Sequence, residues 1–177
     1  KAKEFPKRFL YLGRYVEHKG IFEMWQAFAQ VRSEYPEWEL WCVGTGDQFD
    51  ERIETEGIKH FGFVQPSELK PILLETGVYV LPSHFEPWGV SVQEMAIAGF
   101  PLILSSSVGS KEQFLKEPEN GHEFEAENVE ELVKSMLAIC RASEEDLFSM
   151  AVKSRELGRL NSPTHWAEKL LSFVHVD

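Results

Sequence analysis

Residues 78–107 read VYVLPSHFEPWGVSVQEMAIAGFPLILSSS, and the fold turns on how this stretch is parsed. Its two ends, VYVLPS (78–83) and PLILSSS (101–107), are continuously apolar and bounded by Pro, Gly and Ser, as expected of short strands buried on both faces. Between them, VSVQEMAIAG places apolar residues at helical spacing and ends at Gly99, with Pro101 just beyond. A strand, a helix and a strand in succession form a crossover unit, whose strands run parallel.

The alternation continues outward from this unit. RFLYLGR (8–14) reads as a strand, followed by a helix in which Ile21, Trp25, Phe28 and Val31 recur on one face. WELWCVGTG (38–46) is the next strand, and a short helix is expected over Asp47–Glu56. IKHFGFV (58–64) is another strand, and SELKPILLETG (67–77) is a helix that tolerates Pro71 only near its first turn. HEFE (122–125) completes about six strands. Helical patterns then cover 128–142, 144–158 and roughly 162–175. The fold class is therefore α/β, a doubly wound parallel sheet with C-terminal helices, and its ligand crevice lies at the carboxyl ends of the strands.

Composition sets the outer limits. The chain has 177 residues, 43% of them hydrophobic and 27% charged, the size and balance of a single globular domain spanning 1–177. No apolar run is long enough to cross a bilayer, and KAKEFPKRF lacks the features of a secretory signal. The formal net charge of −11 repels phosphate backbones, which argues against nucleic acid as a partner. A small anionic ligand remains compatible with it, because a few local cations dominate within a Debye length of about 8 Å. Cys42 and Cys140 are too few for a disulfide framework, and a reducing, cytoplasmic setting is expected.

The chemistry-bearing residues gather where the crevice is expected: Gly13-Arg14, Gly44-Thr45-Gly46, Gly62-Phe63-Val64 and Pro82 through Gly89 each follow a strand. If the helix after strand four opens at Gly89 or Val90, Glu86 stands in the loop above the sheet and Glu94 in the helix's second turn. At about 100° per residue, Val92, Met95 and Ala96 share a face, while Glu94 is flanked by Val90, Ile97 and Ala98. Such a helix is apolar nearly all round and is expected to be largely buried, which makes Glu94 costly unless paired. Two readings stand on the residues alone: Glu94 is satisfied within the protein, or its two oxygens accept from a pair of ligand hydroxyls. Glu86 is equally readable as a solvated loop acid or a capping group. The backbone N–H groups at Gly89 and Val90 form an anion or hydroxyl site in their own right.

Arg14 and Lys19 flank the loop after the first strand. A planar fork and a point charge suit a diphosphate, although two surface cations would look the same. Gly44-Thr45-Gly46 lacks the full dinucleotide fingerprint, and neither a P-loop nor a G-x-S-x-G nucleophile motif is present. The six histidines show no ligand spacing, so no metal site is expected. His84, two residues before Glu86, either lines the crevice or packs beside it.

Glu86–Pro101, E-P-W-G-V-S-V-Q-E-M-A-I-A-G-F-P, resembles the E-x7-E motif of retaining glycosyltransferases of family 4, whose two-domain architecture is called GT-B. G-R-Y-V-E-H-K-G (13–20), V-G-T-G (43–46), F-G-F-V (61–64), V-L-P-S (80–83) and E-N-G (119–121) resemble that family's other landmarks in the same order. The resemblance implies the Rossmann-like C-terminal half of a GT-B fold, which binds the nucleotide-sugar donor. Carried over by position, Glu94 accepts from the ribose hydroxyls and Glu86 contacts the transferred sugar, beside the backbone of Trp88, Gly89 and Val90. Arg14 and Lys19 hold the diphosphate and stabilise the leaving group, and Gly13, Gly44 and Val64 lie along the nucleotide. No cofactor or metal is implied, only a UDP-, GDP- or ADP-sugar as substrate.

Two departures qualify the match. Gly109-Ser110 stands where the family often has Gly-Gly; a serine there still offers its backbone N–H. The acceptor-binding N-terminal domain of the family is not in this sequence, and SPTHWAEKLLSFV (162–174) resembles the segment that crosses back to it, so its apolar side is expected to be exposed or repacked. The resemblance implies sugar transfer to a saccharide or lipid-linked acceptor in cell-surface polysaccharide or lipopolysaccharide synthesis. It leaves room for peripheral membrane association of a longer protein. A nucleotide-sugar 2-epimerase and a non-catalytic nucleotide-sugar-binding module are the alternatives.

Overall fold

The computed structural model describes residues 4–160 and 163–174. Six short apolar runs become strands: Arg8–Leu12 (β1), Glu39–Val43 (β2), Ile58–His60 (β3), Val78–Leu81 (β4), Leu102–Ser105 (β5) and Gly121–Phe124 (β6). They form one sheet in the order β3-β2-β1-β4-β5-β6, with every neighbouring pair parallel. Each strand of β4 and β5 is buried along its whole length, as continuous apolar runs require.

The helices are Ile21–Glu34 (α1), Lys70–Glu75 (α2), Val90–Ala98 (α3), Lys111–Phe114 (α4), Val129–Arg141 (α5), Glu144–Leu160 (α6) and Pro163–Val174 (α7). Right-handed crossovers that run from β1 toward one edge and from β4 toward the other place α1 and α3 on opposite faces. Accordingly α1 packs with α5, and α3 with α6. Ile21, Trp25, Phe28 and Val31 are all buried on α1, as their spacing predicts. Phe9 on β1 anchors this side, with ring centroids 4.7 Å from Trp38 and 6.2 Å from Phe28.

Several elements differ from expectation. The helix expected over Asp47–Glu56 is a single 3₁₀ turn at Phe49–Glu51, because Gly46 and the polar run after it offer no apolar stripe to bury. The strand expected over 58–64 stops at His60, where Gly62 turns the chain with φ 67°. The helix expected from Ser67 begins as a 3₁₀ turn at Pro66–Glu68 and becomes α-helical at Lys70, with Pro71 in its first turn as required. A short helix, α4, was not expected; Phe114, fully buried, is what pins it. The helix expected over 162–175 is observed as α7, with Ser162 and His175 outside the described residues.

Asn120, at the entry to β6, is fully buried and saturates its neighbourhood. Its amide donates to the Phe114 carbonyl at 2.8 Å and to Ser154 Oγ at 2.9 Å, and its oxygen accepts from the Lys116 N–H at 2.7 Å. Asn120→Ala strands these buried partners and is expected to cost about 2–3 kcal/mol, read as a lowered urea midpoint with an unchanged slope. An unaltered midpoint would show that the network contributes nothing net.

Candidate functional site

Strand order reverses between β1 and β4, and the loops leaving their carboxyl ends diverge there to open a crevice. The loop after β1 carries Gly13, Arg14 and a 3₁₀ turn at Glu17–Lys19; the loop after β4 runs from Pro82 to Gly89. The two are sewn together: the His84 backbone N–H donates to the His18 carbonyl at 2.8 Å, and His84 Nε2 lies 3.3 Å from a Glu23 carboxylate oxygen. His84 is thus packed beside the crevice. The same seam brings Lys19 Nζ onto the Glu86 carboxylate, in an ion pair whose side chains are only 15% and 16% exposed.

A third loop, after β5, holds the other side of this turn. Glu86 forms a bridge with Val108, the Gly109 N–H donates to the Glu86 carbonyl at 2.9 Å, and the Ser110 N–H to the Trp88 carbonyl at 3.0 Å. The Ser110 N–H, expected to be available to a ligand, is therefore spent within the protein. Gly89 then takes φ 88°, a left-handed conformation that turns the chain sharply into α3. The first N–H groups of α3 are thereby presented beside Glu86.

Glu94 departs from expectation. Val92, Met95 and Ala96 do face the core, but Glu94 is exposed, and so are Val90 and Ile97, at 63% and 41%. The reason is geometric: α3 packs on one side only, so its nearly uniform apolar surface leaves an open stripe at Val90, Glu94 and Ile97 instead of a buried acid. Glu94 needs no internal partner, and its carboxylate stands open to solvent. Phe85 and Trp88 are also exposed, at 67% and 41%, around the same strand ends.

Beside the switch point lies an open cleft of about 500 Å³, lined chiefly by apolar atoms of Gly13, Arg14, Gly44, Thr45, Phe63 and Val64. Backbone bonds knit its floor: Gly13 N–H to Val43 O, Gly44 N–H to Gly62 O and Tyr15 N–H to Thr45 O, at 2.8 to 3.0 Å. Gly44 has φ 136°, and a Cβ there would stand 1.9 Å from the Gly13 carbonyl oxygen, so only glycine lets these turns close. Arg14, exposed at the lip, makes no side-chain ion pair among the described residues. Of the residues picked from sequence, Gly13, Arg14, Gly44 and Val64 meet in this cleft, while Lys19, Glu86, Trp88, Gly89 and Val90 meet at the switch point.

Two tyrosines went unremarked in the sequence. The Tyr79 hydroxyl, below the crevice, bonds Ser91 Oγ at 2.7 Å and reaches the Leu12 carbonyl at 3.4 Å, tying the first turn of α3 to the end of β1. The Tyr11 hydroxyl donates to the Arg14 carbonyl at 2.6 Å and sets the turn that carries that guanidinium. The signal was available: a tyrosine inside a wholly apolar strand must find a partner for its hydroxyl.

Burial dominates the titration of these groups. It raises the phenols of Tyr11 and Tyr79 above their ordinary range, with the Glu86 carboxylate adding to both and that of Glu94 to Tyr79. It also pushes the Cys42 thiol up to about 12. In the unfolded chain they ionise near 9.0 for the thiol and 10.0 for the phenols, releasing protons that the folded chain retains. The unfolded state then binds fewer protons, so stability is intact below about pH 9 and falls above it, by about 1.4 kcal/mol per pH unit for each group fully ionised. Urea midpoints measured between about pH 7 and 11 should fall beyond pH 9; a flat profile would contradict this assignment.

A model of the family described as "Glycosyl transferases group 1" matches residues 1–151. The glycogen synthase of Mycobacterium tuberculosis is 34% identical over 112 residues, covering 59% of this chain and 27% of that enzyme. A TarM variant of S. aureus, solved with fondaparinux, alpha-GlcNAc-glycerol and UDP, superposes with a TM-score of 0.84 at 19% identity, over 98% of this chain and 37% of that one. The C-terminal domain of the group 1 protein LpcC from Francisella tularensis superposes with a TM-score of 0.74 at 17% identity, over 87% of this chain and 84% of that one. This chain thus spans about a quarter of the curated relative and a third of the TarM chain, but most of the solved LpcC domain. The likeness to the two solved chains is one of fold.

Proposed function

Because the chain belongs to the group 1 glycosyl transferases, we propose that it is the donor-binding domain of a retaining enzyme that moves a sugar from a nucleoside diphosphate to a saccharide or lipid-linked acceptor. One observation carries the reading: Lys19, the Glu86 carboxylate and the start of α3 meet at the topological switch point, beside an apolar cleft that is floored by glycine turns and has Arg14 at its lip. In a domain of net charge −11, Arg14, which makes no side-chain ion pair among the described residues, recruits an anion locally.

Each residue then has a task. The base enters the cleft at Gly44 and Val64, and the exposed carboxylate of Glu94 accepts from the ribose hydroxyls. Arg14, Lys19 and the N–H groups at Gly89 and Val90 hold the diphosphate, and Glu86 meets the sugar. In transfer, the bond between the anomeric carbon and the phosphate oxygen breaks with its electron pair going to that oxygen, where Arg14 and Lys19 stabilise the growing charge. The acceptor oxygen bonds the anomeric carbon on the same face, and its proton passes to the leaving phosphate. No side chain is needed as a general base.

The acceptor side is assigned to a further domain of the protein. Phe85, Trp88 and Val90 are exposed around the crevice, and Leu170, Leu171 and Phe173 are exposed on α7; these apolar side chains suit packing against such a domain. Among the described residues no helix is long and apolar enough to cross a membrane. We place the reaction in the cytoplasm, where sugar nucleotides are used, in the assembly of cell-surface polysaccharide or lipopolysaccharide.

Calorimetric titration with UDP, GDP and ADP in EDTA tests the reading, UDP first because it accompanies TarM. One nucleotide should bind without metal. Arg14→Ala and Lys19→Ala should each weaken it about 10- to 100-fold, as expected for losing a charge-assisted hydrogen bond. Glu94→Ala should weaken it by removing the ribose acceptor. Failure of all three nucleotides to bind would sink the assignment.

A further inference from the structure

Lys19 cannot serve a diphosphate while it serves Glu86 alone. Its ammonium and the Glu86 carboxylate are in contact and mostly withdrawn from water, so the two charges satisfy one another. A diphosphate set on Lys19 brings further negative charge against a carboxylate that is poorly screened. The Glu86 backbone has no room to retreat, since its carbonyl accepts from Gly109 and its main chain pairs with Val108. Its side chain is what can move. Glu86 Cγ lies 3.2 Å from where a Cβ on Gly89 would stand, a spot also walled by Val92 and Leu81, so any side chain at position 89 would crowd the acid against the start of α3.

We propose that Glu86 is an internal competitor for Lys19, displaced when a diphosphate binds and stabilised afterwards only if a sugar is attached to receive it. The inference rests on the donor-site reading above. It makes Glu86 a residue that discriminates between the sugar nucleotide and the nucleoside diphosphate left after transfer. With the donor, the displaced carboxylate accepts from sugar hydroxyls. With the sugarless product it has no partner and returns to Lys19, which favours release. Glu86 then acts against the product through Lys19 and for the donor through the sugar.

The test is calorimetric titration of the 177-residue chain and its Glu86→Gln variant with UDP, GDP and ADP. Glu86→Gln should bind the preferred sugarless diphosphate at least about 5-fold more tightly than the parent chain, the lower end of typical coupling between sites. Glu86→Ala serves as a second variant, since a glutamine oxygen can still accept from Lys19, and thermal melts confirm that both are folded. Glu17→Gln, which removes the same charge from the exposed turn preceding Lys19, should shift affinity much less, separating competition from a general change in field. The gain should vanish when Lys19→Ala is added. Equal or weaker diphosphate binding by both Glu86 variants, with the parent chain binding well, would overturn the competitor role and leave the donor site standing. Absence of binding in the parent and in every variant would overturn both.

Discussion

Reversal of strand order between β1 and β4 is the constraint from which the site follows. Neighbouring parallel strands whose crossovers go to opposite faces must send their outgoing loops apart, and a crevice opens between them. The proposed diphosphate and sugar contacts hang on the two loops that diverge there, and the turns after β2 and β3 complete the cleft beside them. The separation of the two loops is limited by the bond from His84 to His18 and by the ion pair of Lys19 with Glu86, so the crevice is held at a defined width.

The floor of the crevice is stiff for a related reason. Successive glycine turns after β1, β2 and β3 are knitted by backbone hydrogen bonds, and two buried tyrosines anchor the carriers of charge from below: Tyr11 the turn of Arg14, Tyr79 the first turn of α3. A site built this way meets its ligand with most of its polar groups already placed, which limits the ordering cost of binding. The Lys19–Glu86 pair is the exception. Its charges satisfy each other instead of waiting for a ligand, and it joins the two halves of the proposed donor contact.

Much of this was legible from the residues. The apolar runs and the helix between them showed a parallel α/β sheet, and Gly89 correctly marked the start of α3. The short helix at Lys111–Phe114 was hidden because four residues make no periodicity, and the strand at 58–64 was overdrawn because the apolar run continues through Phe61, which still packs on Trp41 of β2, past the point where Gly62 turns the chain out of the sheet. The family-like order of motifs picked residues that the fold gathers at neighbouring strand ends, whereas the expectation of a buried Glu94 failed. It treated apolar character on every side of α3 as evidence of burial on every side, and Val90 and Ile97 are exposed.

Local sequence determined what local physics governs: which segments are strands or helices, where glycine must turn the chain, and which residues lie at strand ends. Those follow from periodicity and backbone sterics within a few residues. Tertiary structure alone decided that Lys19 and Glu86 neutralise each other, that Ser110 spends its N–H on Trp88, and that Glu94 faces solvent. The first two are pairings between segments apart in the chain, and the third is set by which side of α3 the rest of the fold covers. The outcome of the pairings depends on which loops the strand order brings together, and no spacing within either segment encodes that.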